Sequence, residues 1–208
     1  SWIDSIDSLL VVWYPGCEGG KAIARTLFGE VNPSGRLPVL FPKFDEQLGE
    51  WDVNALAVKH GLFHGYRYLD RTNEKPLFPF GFGLSYTEFV VKNVFINRKK
   101  ESFSVVVVVE NLGKMDGDCV LQLYVSCLNS KVERAKKELK GFGRLSLVVN
   151  EEMSLEFEVP DTDLCFYDPE EGWVLESCLY RFSLGFSSED LPSSQTWLFD
   201  GASWANKG

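Results

Sequence analysis

The stretch SFSVVVVVEN, residues 102–111, decides how the rest of the chain is read. A phenylalanine, a serine and five consecutive valines are far short of the roughly 20 apolar residues that a membrane-spanning helix needs. β-Branched side chains favour an extended backbone, so the run has the character of one strand. Runs of the same kind lie on both sides of it: FVVKNVFI (89–96) before, then CVLQLYVS (119–126), KKELKGFGRLSLVV (136–149), MSLEFEVP (153–160), GWVLE (172–176) and LYRFSLGFS (179–187). Turn-forming residues separate them, among them Asn97-Arg98-Lys99, Gly113 to Gly117, Asn150-Glu151-Glu152 and Asp168 to Gly172. Leu121, Leu123 and Val125 recur with period two, as do Leu155, Phe157 and Val159, which gives each strand one apolar face. Short strands at this spacing over about 100 residues predict an immunoglobulin-like β-sandwich. Paired cysteines are absent from the strands where antibody domains carry them, so the fibronectin-III-like variant fits better.

The chemistry changes upstream of residue 86. Leu9 to Trp13 (LLVVW) is continuously apolar and predicts a parallel strand buried on both faces. Across a glycine-rich turn, Lys21 to Phe28 places Ala22, Ile23, Leu27 and Phe28 on one side of a short helix. Prolines 33, 38 and 42 then exclude regular helix through Pro42. Residues 43–85 show little periodicity, and LFPFGFGLSY (77–86) reads as part of a packed, ordered connector of aromatics and glycines. The expected organisation is a first unit at 1–48, the connector at 49–85, the sandwich at 86–187 and a loosely attached tail at 188–208.

With 208 residues, a formal charge of -9 and 45% hydrophobic residues, the chain is globular and acidic. Both nucleic acid and an anionic membrane surface call for a basic footprint, so neither is expected as a partner. The dense basic cluster Arg134 to Lys140 (RAKKELK) is interrupted by Glu138 and reads as a solvated strand face. The five cysteines, 17, 119, 127, 165 and 178, contain no C-x-x-C pair and have only His60 and His64 to help, so no metal site is expected. Cys165 and Cys178 could close one bridge, and free buried thiols are at least as good a reading.

The strand, loop and helix order of LLVVWYPGCEGGKAIARTLFGE (9–30) is that of many active sites. Gly16, Gly19 and Gly20 nevertheless match neither the phosphate-loop nor the dinucleotide spacing, and Glu18 would repel a phosphate. Cys17 as a nucleophile lacks a base nearby in sequence, and Glu18 beside it would raise its pKa. The turn therefore reads as architecture, with Cys17 a small turn residue and Glu18 stabilising the helix start. No histidine or carboxylate pair stands out as a catalytic set. Trp173, Trp197 and Trp204 are candidates for stacking on sugar rings, against a reading as core packing or tail anchoring.

Together, WYPGCEGGKAIARTLFGEVNPSGRLPVLFPK (13–43), HGLFHGYRYLD (60–70), PLFPFGFGLSYTEF (76–89), VLQLYVS (120–126), KKELKGFGRLSL (136–147) and DLCFYDPEEGWV (163–174) resemble, in order and spacing, the C-terminal part of glycoside hydrolase family 3. The resemblance implies a mainly β fold, in which a fibronectin-III-like sandwich follows the last strand-helix unit of an α/β sandwich domain. It also implies a full-length retaining hydrolase acting on terminal β-linked glucosides or oligosaccharides, with no metal or organic cofactor. The nucleophilic aspartate of the family sits on an N-terminal barrel that this chain lacks, and its acid/base glutamate normally lies upstream of the motif containing Glu18. No catalytic residue is carried over, and the chain, opening at Ser1 without methionine, is expected to be an inert fragment. Departures from the family pattern include Cys17, where glutamine or threonine is common, Cys127, where aspartate is frequent, and Val149-Asn150 in place of a Pro-Gly turn.

Overall fold

The computed structural model describes residues 2–49, 52 and 54–208; Ser1, Glu50, Trp51 and Val53, which fall in the first unit and the connector, lie outside the described residues. Among the described residues two α-helices precede the sandwich, α1 (Gly19–Leu27) and α2 (Tyr66–Thr72). The strands are β1 (Phe89–Arg98), β2 (Ser102–Asn111), β3 (Gly117–Leu128), β4 (Glu138–Leu147), β5 (Glu152–Pro160), β6 (Phe166–Asp168), β7 (Gly172–Val174), β8 (Leu179–Gly185), β9 (Ser193–Phe199) and β10 (Trp204–Asn206).

The valine run forms the centre of a three-stranded antiparallel sheet ordered β1-β2-β5. Phe103, Val105, Val107 and Val109 point inward and are fully buried, as the period of a strand requires. Facing them is a five-stranded antiparallel sheet ordered β10-β9-β8-β3-β4, which contributes Leu121, Leu123, Phe182 and Leu184. A separate hairpin pairs β6 with β7. The two sheets meet at their sides. On one side Gly141 of β4 lies against the Phe157 ring of β5, where an added Cβ would come within 2.8 Å of the ring. On the other, Gln195 Nε2 of β9 donates to the Val94 carbonyl of β1 at 3.3 Å.

Two sequence expectations are corrected, and a third point, left open by the sequence, is decided. Leu9 to Trp13 is not a strand: it belongs to no ladder among the described residues and is 36–56% exposed along its length. A doubly buried parallel strand needs neighbouring strands on each side, and the described residues contain none for it. Residues 188–208 are not a loose tail. β9 pairs with β8 and β10 with β9, and the Trp204 ring lies 4.7 Å from that of Phe103, with Trp197 at 5.2 Å. The short polar runs of this segment hid two strands whose apolar anchors are single tryptophans. Cys165 is not bridged; Cys178 is joined to Cys127 instead, because β3 and β8 are antiparallel neighbours that bring these two ends together.

β3 is buried on both faces. On its outer face Gln122 and Tyr124 lie beneath the connector: Tyr124 donates to Gln122 Oε1 at 2.7 Å, and Gln122 Nε2 donates to the carbonyls of Gly81 at 3.2 Å and Phe186 at 2.9 Å. Gly81 has a positive φ of 78°, and a side chain there would collide with Gln122. The Tyr66 ring of α2 meets Tyr124 edge-on at 5.9 Å, and its hydroxyl accepts the Leu139 N–H at 3.1 Å. No helix among the described residues is long and apolar enough to cross a membrane.

Candidate functional site

The glycine-rich turn is built as a tight corner. Gly16 has a φ of 69°, the Gly19 N–H donates to the Gly16 carbonyl at 3.2 Å, and α1 begins there. Cys17 is a free, exposed thiol. Glu18 makes no side-chain cap to α1, contrary to its expected helix-start role; its carboxylate lies 4.0 Å from Lys21, with both side chains largely in solvent. His60 and His64 are exposed neighbours in the connector with ring centroids 5.7 Å apart, and His64 Nδ1 lies 2.8 Å from the Gly61 carbonyl oxygen. None of the hydrogen bonds of the described residues joins either histidine to Cys17.

The apolar side of this N-terminal unit faces solvent. Tyr14, Leu27 and Phe28 are exposed, as is the Leu9–Trp13 run, so these apolar side chains have no cover among the described residues. In contrast, the segment just after it is fixed to the sandwich. Asn32 Oδ1 accepts from Ser85 Oγ at 3.0 Å and from the Tyr86 N–H at 2.7 Å, while Thr87 Oγ1 donates to Asn111 Oδ1 at 2.6 Å. A cavity of about 680 Å³ runs along this seam between Glu30–Asn32, the Lys114–Asp118 turn and Ser146–Val149.

The basic cluster is where the structure departs most from a solvated face. Lys137 is mostly buried, with its ammonium 2.7 Å from Asp70 of α2 and 3.2 Å from Glu189. Lys75 also pairs with Glu189, Lys136 with the Asn73 side chain, Arg67 with Glu138 at 3.2 Å and Arg71 with Glu133 at 2.9 Å. A second cavity of about 440 Å³ opens beside Asp70, Asn73, Lys75, Lys136, Lys137 and Glu189. Burial pushes the Glu189 carboxyl up, but the hydrogen bonds and charges of Lys75 and Lys137 outweigh it and leave its pKa below the ordinary value. Acidic groups that gather here are thus neutralised by lysines, which makes the cluster a clamp between connector and sandwich. Sequence reasoning missed it because partners more than 50 residues apart leave no local pattern.

Of the three candidate tryptophans 173, 197 and 204, Trp173 is the one that stands out from the body: it is 72% exposed on the β6–β7 hairpin, with the exposed Tyr167 ring 5.6 Å away and edge-on. Trp197 and Trp204 pack on the core. Cys119 is buried, and burial pushes its thiol up to about 12 against the opposing pull of Arg36, which makes it an inert core residue.

Residues 1–86 match the glycosyl hydrolase family 3 C-terminal domain and residues 119–188 the fibronectin type III-like domain. The chain belongs to glycoside hydrolase family 3, and the part it spans is the C-terminal one. Among curated relatives it is 40% identical over 202 residues to thermostable beta-glucosidase B of Acetivibrio thermocellus, covering 91% of this chain and 26% of that protein. It is 35% identical to beta-glucosidase BoGH3A of Bacteroides ovatus, covering 95% and 28%. The structure of beta-glucosidase 3B from Thermotoga neapolitana in complex with alpha-D-glucose superposes with a TM-score of 0.89 at 30% identity, over 99% of this chain and 30% of that one. The chain therefore spans about a quarter of the length of the curated relatives it matches.

Proposed function

We propose that this chain is the supporting C-terminal part of a retaining β-glucosidase-type hydrolase, and that on its own it turns over no glycoside. The observation that carries this reading is the uncovered apolar surface of Leu9–Tyr14, Leu27 and Phe28, which is of the kind that an α/β sandwich buries against further strands and helices. Upstream polypeptide supplying those elements would also supply the two carboxyl groups, about 5 Å apart, that hydrolysis with retention requires. The substrate of the complete protein is then a terminal β-linked glucoside. The role of this chain is to complete the α/β domain and to hold it, through the connector and the Lys137 clamp, on a rigid sandwich. Purified chain incubated with an aryl β-glucoside is expected to release no phenol above buffer. Turnover that co-elutes with the chain through two chromatographic steps overturns the inert reading.

A second reading rests on Trp173 and Tyr167, whose exposed faces suit a sugar ring. On it, the chain is a carbohydrate-binding module. Electrophoretic retardation in soluble β-glucan that disappears in Trp173→Ala supports it, and unretarded migration of the unmodified chain excludes it.

A further inference from the structure

The end of β3 and the start of β8 bring together three groups of one chemistry. Cys127 Sγ, Cys178 Sγ and a Glu176 carboxylate oxygen all lie within 4.8 Å of one another, and the two sulfurs are joined as a disulfide. Glu176 is a buried acid, 7% exposed. Its oxygens accept from Ser130 Oγ at 2.6 Å and from the Lys131 N–H at 2.5 Å, which aims the carboxylate at the sulfurs; Cys127 Sγ is 3.6 Å from Oε2. Arg134 Nη1 points at the same oxygen from 3.9 Å and is buried without a hydrogen-bond partner among the described residues.

Three geometric and electrostatic facts converge on this cluster. Zinc–sulfur bonds of about 2.3 Å and zinc–oxygen bonds of about 2.0–2.2 Å place a sulfur and an oxygen ligand of a tetrahedral ion about 3.6 Å apart, which is the spacing of Cys127 and Glu176. Breaking the sulfur–sulfur bond lets the sulfurs move apart toward van der Waals contact, close to the edge length of the same tetrahedron. Two thiolates, one carboxylate and a divalent ion leave a single negative charge, and the unpaired face of Arg134 lies where it would balance that charge.

We propose that Cys127, Cys178 and Glu176 form a redox-gated site for a zinc-like divalent cation, occupied when the cysteines are reduced and closed when they are bridged. Two thiolates with one carboxylate suit zinc or cobalt and disfavour magnesium and calcium, which prefer all-oxygen sites. Loading the dithiol releases two thiol protons as the ion binds. Discharge takes a small-molecule disulfide of the glutathione type. A bond forms between the two protein sulfurs, the sulfur–sulfur bond of the small molecule breaks, and its two sulfurs take the electron pair and one proton each. The divalent ion then leaves. The expectation of no metal site rested on the absence of short cysteine spacings; here 51 residues separate the cysteines, and only the β3–β8 pairing joins them.

Titration of the full chain with Co²⁺ tests the site. Under a phosphine reductant the chain is expected to bind about one ion, with thiolate-to-cobalt charge-transfer absorption that added Zn²⁺ abolishes. After oxidation by glutathione disulfide the absorption should be absent, a comparison that needs no variant. Replacing Cys17, Cys119 and Cys165 together by serine should leave the absorption unchanged, Cys178→Ser should remove it, and Glu176→Gln should weaken binding at least about ten-fold. The proposal is overturned by a reduced chain without the band, by an oxidised chain that binds equally well, by a band that survives in Cys178→Ser, or by an equal band in the urea-unfolded reduced chain.

Discussion

Lys137 shows how much a single side chain can decide. Its ammonium is shared by Asp70 and Glu189, and the three side chains are 11–25% exposed. Lys137→Met leaves two partly buried carboxylates short of their common partner, so it is expected to cost about 2 kcal/mol, read as a lowered urea midpoint. The pH dependence follows from the same group. The folded pKa of Glu189 lies below its ordinary value of 4.5, so its contribution is present above about pH 4.5 and is lost as pH falls through the lowered folded value. Urea midpoints measured from pH 7 to pH 3 should therefore fall less steeply in Glu189→Gln than in the unmodified chain; parallel curves would contradict the clamp. In the core, Phe103 is fully buried with the rings of Phe182, Trp197 and Trp204 within 5.2 Å. Phe103→Ala is expected to cost about 3–5 kcal/mol in equilibrium unfolding.

At the scale of elements, the strands with alternating or continuous β-branched residues were legible in the sequence, and all of β1 to β5 fall on predicted runs. α2 was not, since the connector shows little periodicity; what makes it a helix is the tertiary fit of Tyr66 and Leu69 beneath the sandwich. β9 and β10 were missed because Ser193 to Thr196 is polar and Trp204 stands alone in its stretch. The β8–β9 ladder and the tryptophan anchors override that local composition. We propose that the independently folding sandwich extends from residue 86 to 208. A chain of residues 86–208 is expected to unfold cooperatively in urea, whereas 86–190, which strips the tryptophans from Phe103, should show no sharp transition.

At the scale of the whole molecule, the candidate site was legible only as an absence. The Glu18 motif identifies the family, but the groups the structure brings together, Lys137 with Asp70 and Glu189 and Cys127 with Glu176 and Cys178, come from distant strands that no local period reveals. The uncovered N-terminal surface has its own consequence. A chain starting at Asn32 should bind less of a fluorescent apolar dye than the full chain. Its sandwich should keep its unfolding free energy to within about 1 kcal/mol, since the chief link lost is the Tyr86 hydroxyl to the Thr26 carbonyl. A larger loss would show that residues 2–31 are part of the cooperative unit.

The way the two sheets meet at their sides bears on how such a chain fails. Sheet edges are the usual templates for fibril growth. Here β4 and β5 are locked by the Phe157 ring on Gly141, β1 and β9 by Gln195, and the outermost strand β10 is three residues long. Copies of this chain that clump through Leu9–Tyr14 are therefore offered an adhesive patch without a ladder to extend. Their precipitates should be amorphous, dissolve in mild detergent and leave amyloid dyes dark.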